Sequence, residues 1–161
     1  MPEKKERILS IIKEVSQEEI KEIPNSTPFG VIIKKEIILS LCDRLHHDSK
    51  LYFDMLSCIT GVDNGLELGT MEVLYHLYSI PFNQSLVLKV ILPRENPEVE
   101  SVTRVWKTAN WLEREVYDMF GIIFTNHPDL RRILMPADWK GYPLRKDYKH
   151  EEYYRGVKID Y

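Results

Sequence analysis

Cysteine is nearly missing from this chain of 161 residues: Cys42 and Cys58 are its only thiols. They form no CxxC pair, and two thiolates alone hold neither an iron–sulfur cluster nor a structural zinc. The expectation is two free thiols in a reducing compartment. Long apolar runs are also missing. No stretch reaches the roughly eighteen apolar residues that a membrane-crossing helix needs. The opening "MPEKKERILSIIKEV" is charged and amphipathic, without the apolar centre and small-residue cleavage site of a secretory signal. Glycine is scarce. Gly61, Gly65 and Gly69 are spaced GxxxGxxxG, not GxGxxG, and GxxxxGK[ST] does not occur, so no phosphate cradle is written here. Net charge is small as well. A value of −3 argues against a general polyanion binder. Residues 1–103 carry 11 Lys+Arg against 16 Asp+Glu, and residues 104–161 carry 11 against 9, a mild asymmetry and not a basic arm.

The motifs of common catalytic sites are absent too. "HHD" (46–48) sets neighbouring histidines on different sides of a helix, and "HEEYY" (150–154) lacks the second histidine of HExxH. There is no GxSxG elbow and no reactive Cys–His neighbourhood.

What is present is an ordinary globular composition, 43% apolar and 29% charged, long enough to bury a core. A first helix is expected over about Lys4 to Val15, with Ile8, Ile11, Ile12 and Val15 on one face. "IPNSTPFG" breaks the chain, and "GVIIK" (Gly30–Lys34) reads as a short buried strand. A second helix follows, with Ile37, Ile38, Leu41, Cys42 and Leu45 on one stripe, and His46 and His47 in its last turn. Three strands come next. "LYFDMLSCIT" (51–60) puts Leu51, Phe53, Met55 and Ile59 on one face. "TMEVLYHLYSI" (70–80) alternates Met71, Val73, Tyr75 and Leu77. "SLVLKVIL" (85–92) alternates Leu86, Leu88, Val90 and Leu92, after a tight turn at "PFNQS". The third helix is expected from Ser101, its N-cap, to Phe120, with Gly121 as its stop. The order α-β-α-β-β-β-α predicts an α+β two-layer sandwich, helices on a mostly antiparallel or mixed sheet.

After residue 120 the period ends. Residues 121–161 hold prolines 128, 136 and 143, and residues 120–161 hold 8 of the 17 aromatics: Phe120, Phe124, Trp139, Tyr142, Tyr148, Tyr153, Tyr154 and Tyr161. Disordered tails are poor in such anchors. An extended segment this rich needs a surface, and its backbone groups need partners there. Its own small sheet offers limited area, so a partner protein is the more economical surface. The division is a domain over 1–120 and an extended docking tail over 121–161.

The candidate chemistry lies at that boundary. Glu113, Glu115 and Asp118 crowd the end of the third helix. Glu115 and Asp118 share a face, and Arg114 and Asp118 are spaced to pair. His127 precedes a proline and is extended. Asp129 accepts local backbone hydrogens, and Arg131 and Arg132 are forked donors suited to carboxylates. Pro143 fixes the backbone beside Arg145, Lys146 and Asp147. These residues fit an interface of mutually satisfied charges. They also fit an anionic substrate handled by Glu115, His127 and Arg132, the reading as a stand-alone enzyme.

"EREVYDMFGIIFTNHPDLRRIL" (Glu113–Leu134), followed by "DWKGYPLRKDY" (Asp138–Tyr148), resembles the thirty-kilodalton subunit of respiratory complex I, the C polypeptide of NADH–quinone oxidoreductase. Tyr142 departs from the pattern, standing where many members carry histidine. The resemblance implies a non-catalytic scaffold of the peripheral arm, with no flavin, cluster or quinone ligand of its own. FMN and iron–sulfur clusters would sit in partner subunits. The chain would dock on the hydrogenase-like large subunit (the D polypeptide), near the B and I polypeptides. It would reach the membrane only through the complex, on the cytoplasmic side of the bacterial inner membrane, and would bind no nucleic acid. Related subunits occur in membrane-bound hydrogenases. On this reading the docking residues are Glu113, Arg114, Glu115, Asp118, His127, Asp129, Arg131, Arg132, Trp139, Arg145, Lys146, Asp147 and Tyr148. Replacing Arg131 or Arg145 would then weaken assembly and leave the isolated domain folded.

Overall fold

A computed structural model describes residues 2–16 and 21–159; Tyr161, counted among the tail's aromatics, lies outside them. Helix α1 (Pro2–Ser16) leads to a two-residue strand β1 (Lys21–Glu22) and to β2 (Gly30–Ile33). A single 3₁₀ turn at Lys35–Ile37 opens α2 (Ile38–His47). Strands β3 (Met55–Asp63), β4 (Thr70–Ser79) and β5 (Gln84–Pro93) follow. The five strands form one sheet in the order β1-β2-β5-β4-β3. All neighbours are antiparallel except β2 and β5, which run parallel, so the sheet is mixed.

Alternation along the strands decides which face is buried. Met71, Val73, Tyr75 and Leu77 of β4 stand opposite Leu92, Val90, Leu88 and Leu86 of β5, and all eight are buried. Ile8, Ile11 and Ile12 of α1 and Leu41, Cys42 and Leu45 of α2 close over them in one core. The other face carries Thr60, Glu72, His76 and Lys89, with a Lys89–Glu72 ion pair at 2.7 Å. Asp48, just past α2, ties the helical layer together. It accepts the backbone N–H groups of Lys50 and Leu51 and pairs with Arg7 of α1.

Two expectations need correction. Leu51 and Phe53 are buried, but in the loop before β3, and Met55 points outward at 44% exposure. The register of β3 shifts between Leu56 and Cys58, which breaks the single alternation read from 51 to 60. The third helix, α3 (Ala109–Phe120), starts eight residues later than Ser101. Residues 101–108 are irregular, with turns at 103–105 and 107–108, and the Val105 and Trp106 N–H groups donate to the Val102 carbonyl. Val102 and Trp106 still reach the core, so apolar spacing mimicked two further helical turns. Gly121 does end the helix, at φ 72°, its N–H donating to the Tyr117 carbonyl.

The chain on either side of α3 is joined by a pair that the sequence did not signal. Strand β6 (Glu98–Glu100) runs parallel to β7 (Ile123–Thr125). Ile122 and Phe124 thereby enter the core from beyond residue 120. A small hairpin, β8 (Tyr153–Tyr154) with β9 (Val157–Lys158), ends the described chain.

Candidate functional site

Three carboxylates organise the region where α3, β3 and the aperiodic segment meet. Asp118 sits on α3 with no exposed surface. Its Oδ2 accepts three successive backbone N–H groups, from Ile133 (3.0 Å), Leu134 (2.7 Å) and Met135 (2.8 Å). Its Oδ1 takes Arg132 Nη1 at 2.7 Å. Burial alone would push this carboxyl up, but the three backbone donors and Arg132 outweigh it, and the pKa lies below the usual range. Arg132 also donates to the Gly141 carbonyl and lies over the Tyr142 ring. The "RRILM" segment is thus folded around one side chain of the preceding helix.

Asp63 does the same for "PLRKDY". It ends β3 on the inner face and receives Arg94 through both oxygens. The N–H groups of Gly65 and Lys146 complete its set. The Arg94 guanidinium holds Asp63 well below the ordinary carboxylate range, and the same guanidinium reaches on to Asp147. Arg145 Nε donates to the Phe120 carbonyl at 2.6 Å and stacks over Tyr142, while the Leu144 N–H donates to the Met119 carbonyl. The open carbonyls at the end of α3 are therefore closed by the tail. The Phe120 ring lies against Gly61, where a Cβ would come within 2.6 Å of it.

Glu113 is the third. It has no exposed surface and accepts the Val102 N–H and the Ser101 hydroxyl, both at 2.7 Å. Neither donor is charged, so burial dominates and the carboxyl is pushed up to about 7. His127 lies beside it, Nε2 at 3.8 Å from Glu113. That nitrogen donates to the Asn110 carbonyl, while Nδ1 accepts the Asp129 N–H, which assigns the neutral Nε2–H tautomer. Burial lowers the His127 pKa further. Cys42 and Tyr75 are also buried, and burial together with the Glu113 charge raises both.

Residues 31–154 match the family described as the respiratory-chain NADH dehydrogenase 30 kDa subunit. The chain belongs to this family. An NADH-quinone oxidoreductase subunit of Chloroherpeton thalassium, the C polypeptide of that enzyme, is 40% identical over 99% of this chain and 67% of its own length. The same polypeptide of Chlorobium phaeobacteroides is 48% identical over 70% of this chain and 68% of its own. Among solved structures, a trypsin-resistant fragment of Nqo5 aligns with a TM-score of 0.61 and 29% identity, covering 77% of this chain and 99% of the fragment. A chain of an archaeal membrane-bound sulfane sulfur reductase shares the fold, with a TM-score of 0.74 at 21% identity, over 91% of this chain and 86% of that one. No helix among the described residues is long and apolar enough to cross a membrane. No three His, Cys, Asp or Glu side chains among them gather around a metal-sized space.

Within this family fold the residues singled out from sequence fall into two groups. Glu113, Asp118, Arg132, Arg145 and His127 are engaged inside the chain. Arg114 does not pair with Asp118, as its spacing predicted; Asp118 takes Arg132, and Arg114 Nε donates to the Arg131 carbonyl. The second group is exposed or half-buried. Glu115 faces solvent on α3, and Asp129 and Arg131 form a surface pair at 2.9 Å. Lys146 contributes its backbone N–H to Asp63 and leaves its side chain outside. Trp139 Nε1 donates to the Tyr148 hydroxyl, and its ring meets Tyr154, whose hydroxyl donates to Asp138. Glu115, His127 and Arg132 do not line one pocket: Arg132 lines a groove beside α3 that the other two do not enter. Asp63 and Arg94 escaped the sequence reading. "GVDNG" held a signal for Asp63, an aspartate two residues before a glycine that needs positive φ, here 90° at Gly65.

Proposed function

We propose that this chain is a non-catalytic scaffold and assembly subunit in the peripheral arm of a proton-pumping NADH–quinone oxidoreductase. The observation that carries the proposal is the use of its charged groups. The buried carboxylates at the α3 junction hold backbone N–H groups, a hydroxyl and arginines of their own chain, leaving them no open side for a substrate. Family membership over residues 31–154 supports the same reading. Electron transfer from NADH to quinone belongs to the assembled enzyme, whose FMN and iron–sulfur clusters sit in other subunits. The main partner is the hydrogenase-like large subunit, with the B and I polypeptides nearby. Attachment to the cytoplasmic face of the bacterial inner membrane comes through them. The exposed Glu115, Asp129, Arg131 and Lys146, with half-buried Trp139 and its neighbours, supply docking contacts from α3 and the segment 121–161.

The test is the isolated chain. It should be colourless, carry no stoichiometric metal and oxidise no NADH. One flavin or one cluster per chain, seen by absorbance and metal analysis, overturns the proposal.

A further inference from the structure

We infer that the groove between α3 and residues 130–137 receives an acidic side chain from an apolar segment of a neighbouring subunit, with Arg114 as the anchor. The inference rests on the scaffold reading and says what chemistry one of its contacts has. The groove has a volume of about 550 Å³, with Trp111, Tyr117, Leu130, Ile133 and Ala137 among its lining residues. Arg114 lies in this lining at 7% exposure. Its Nε donates to the Arg131 carbonyl at 3.1 Å, and its guanidinium lies 5.1 Å from the centre of the Trp111 ring. Among the described residues no carboxylate comes within 4.0 Å of it, and its two terminal nitrogens make no further hydrogen bond. Several other buried or half-buried cations are matched by a carboxylate, Arg94 by Asp63, Arg132 by Asp118 and Lys89 by Glu72, whereas half-buried Arg145 is held by the Phe120 carbonyl. A guanidinium taken out of water without a counter-charge is unfavourable, and a carboxylate in fork geometry relieves it.

Charge around the groove favours an acid. Arg132 is neutralised by Asp118 and Arg131 by Asp129, which leaves Arg114 in excess. The walls favour a protein segment over a small anion. A free phosphate would meet one guanidinium without a carboxylate, Arg114, since the other two arginines of the lining, Arg131 and Arg132, are already paired. Trp111, 64% exposed, and Leu134, 59% exposed, extend the apolar surface on which a segment would rest.

The experiment places a photo-activated benzoylphenylalanine at Ala137 of the full chain in the native organism. The complex is retrieved from solubilised membranes through a tag on this chain, and the cross-linked peptide is sequenced. The expected peptide belongs to another subunit and carries Asp or Glu among apolar residues. Arg114→Glu should weaken retrieval about thirtyfold or more, and replacing the identified acid by Arg should restore it. Ala137→Glu, at an exposed position that leaves the core untouched, should also lower the yield while the melting temperature of the free chain stays level. A cross-link to a second copy of this chain overturns the inference. So does a partner segment without an acid, or full assembly of both variants. If no other subunit is retrieved with the unaltered chain, the scaffold reading falls and takes this inference with it.

Discussion

Replacing Asp118 by Ala or Asn removes the side chain around which residues 131–135 are folded. The carboxylate satisfies three backbone N–H groups and one arginine, all at 3.0 Å or less. Breaking a buried ion pair by deleting one partner costs roughly 3–5 kcal/mol, and each orphaned buried N–H about 1–3 kcal/mol. The segment lies at the surface, so water takes up part of the loss. The lower end of the first range, about 3 kcal/mol, is the expected destabilisation. For a chain of this size that corresponds to a melting temperature lower by roughly 6–12 °C. Asn keeps the shape but turns one acceptor into a donor facing other donors, so it should cost nearly as much as Ala. Hydrogen exchange localises the effect, and the amides of Ile133, Leu134 and Met135 should lose protection in both variants. The pH dependence has a definite sign. The folded pKa of Asp118 is depressed, so its contribution is present above the unfolded value of about 3.9 and is lost as pH falls through the folded value. The stability gap between parent and Asn variant should therefore narrow as pH drops below about 4. A variant melting within about 1 °C of the parent, with those amides still protected, refutes the role assigned to this carboxylate.

Glu113 has the opposite sign. Its folded pKa, about 7, is raised above the unfolded value, so stability present below about 4.3 is lost as pH rises through 7. Glu113→Gln should gain on the parent by on the order of 2 kcal/mol between pH 5 and pH 8 in urea melts; a constant separation refutes this. Arg145→Ala should lower the stability of the isolated chain by about 1–2 kcal/mol, because it unlocks the Phe120 carbonyl and the Tyr142 ring. Arg131→Ala should change it by less than about 0.5 kcal/mol, since its pair with Asp129 is exposed; equal melting temperatures for the two variants contradict this account. Gly61→Ala should cost about 1–3 kcal/mol by driving a methyl group into the Phe120 ring, read as an unfolding midpoint shifted to lower urea.

Period and punctuation carried most of the core fold. The stripes of α1 and α2 and the alternation of β4 and β5 were legible because each element buries one face along its whole length. Where burial comes from irregular backbone, the pattern misleads. Val102 and Trp106 are buried on turns capped by Glu113, and spacing alone cannot separate that from helix. Leu51 and Phe53 are buried from a loop, which carried Met55 into the wrong face. The pairing of β6 with β7 involves two three-residue strands separated by a helix, too short for a period. At the candidate site, "HPDLRRIL" and "PLRKDY" announced fixed backbone and paired charge. They did not announce whose charge would pair. Asp118 takes Arg132 because the turn after α3 brings residues 132–135 back over it, a choice invisible to i,i+4 spacing. Asp63 and Arg94, far apart from the tail in sequence, meet Lys146 and Asp147 only in the fold. Arg145, read as a docking residue, also closes the end of α3 within its own chain.

If the charged junction builds a scaffold for other subunits, those subunits should travel with this chain. The most direct measurement is to tag the chain at its native locus, solubilise membranes mildly, and identify every protein that co-purifies at constant stoichiometry. A scaffold subunit should be recovered in a large assembly containing a hydrogenase-like large subunit and an NADH-binding flavoprotein. A nickel-bearing large subunit without the flavoprotein would keep the scaffold role but move the parent complex to the hydrogenase type. A chain recovered alone, at its own mass and free of the membrane fraction, would contradict the claim.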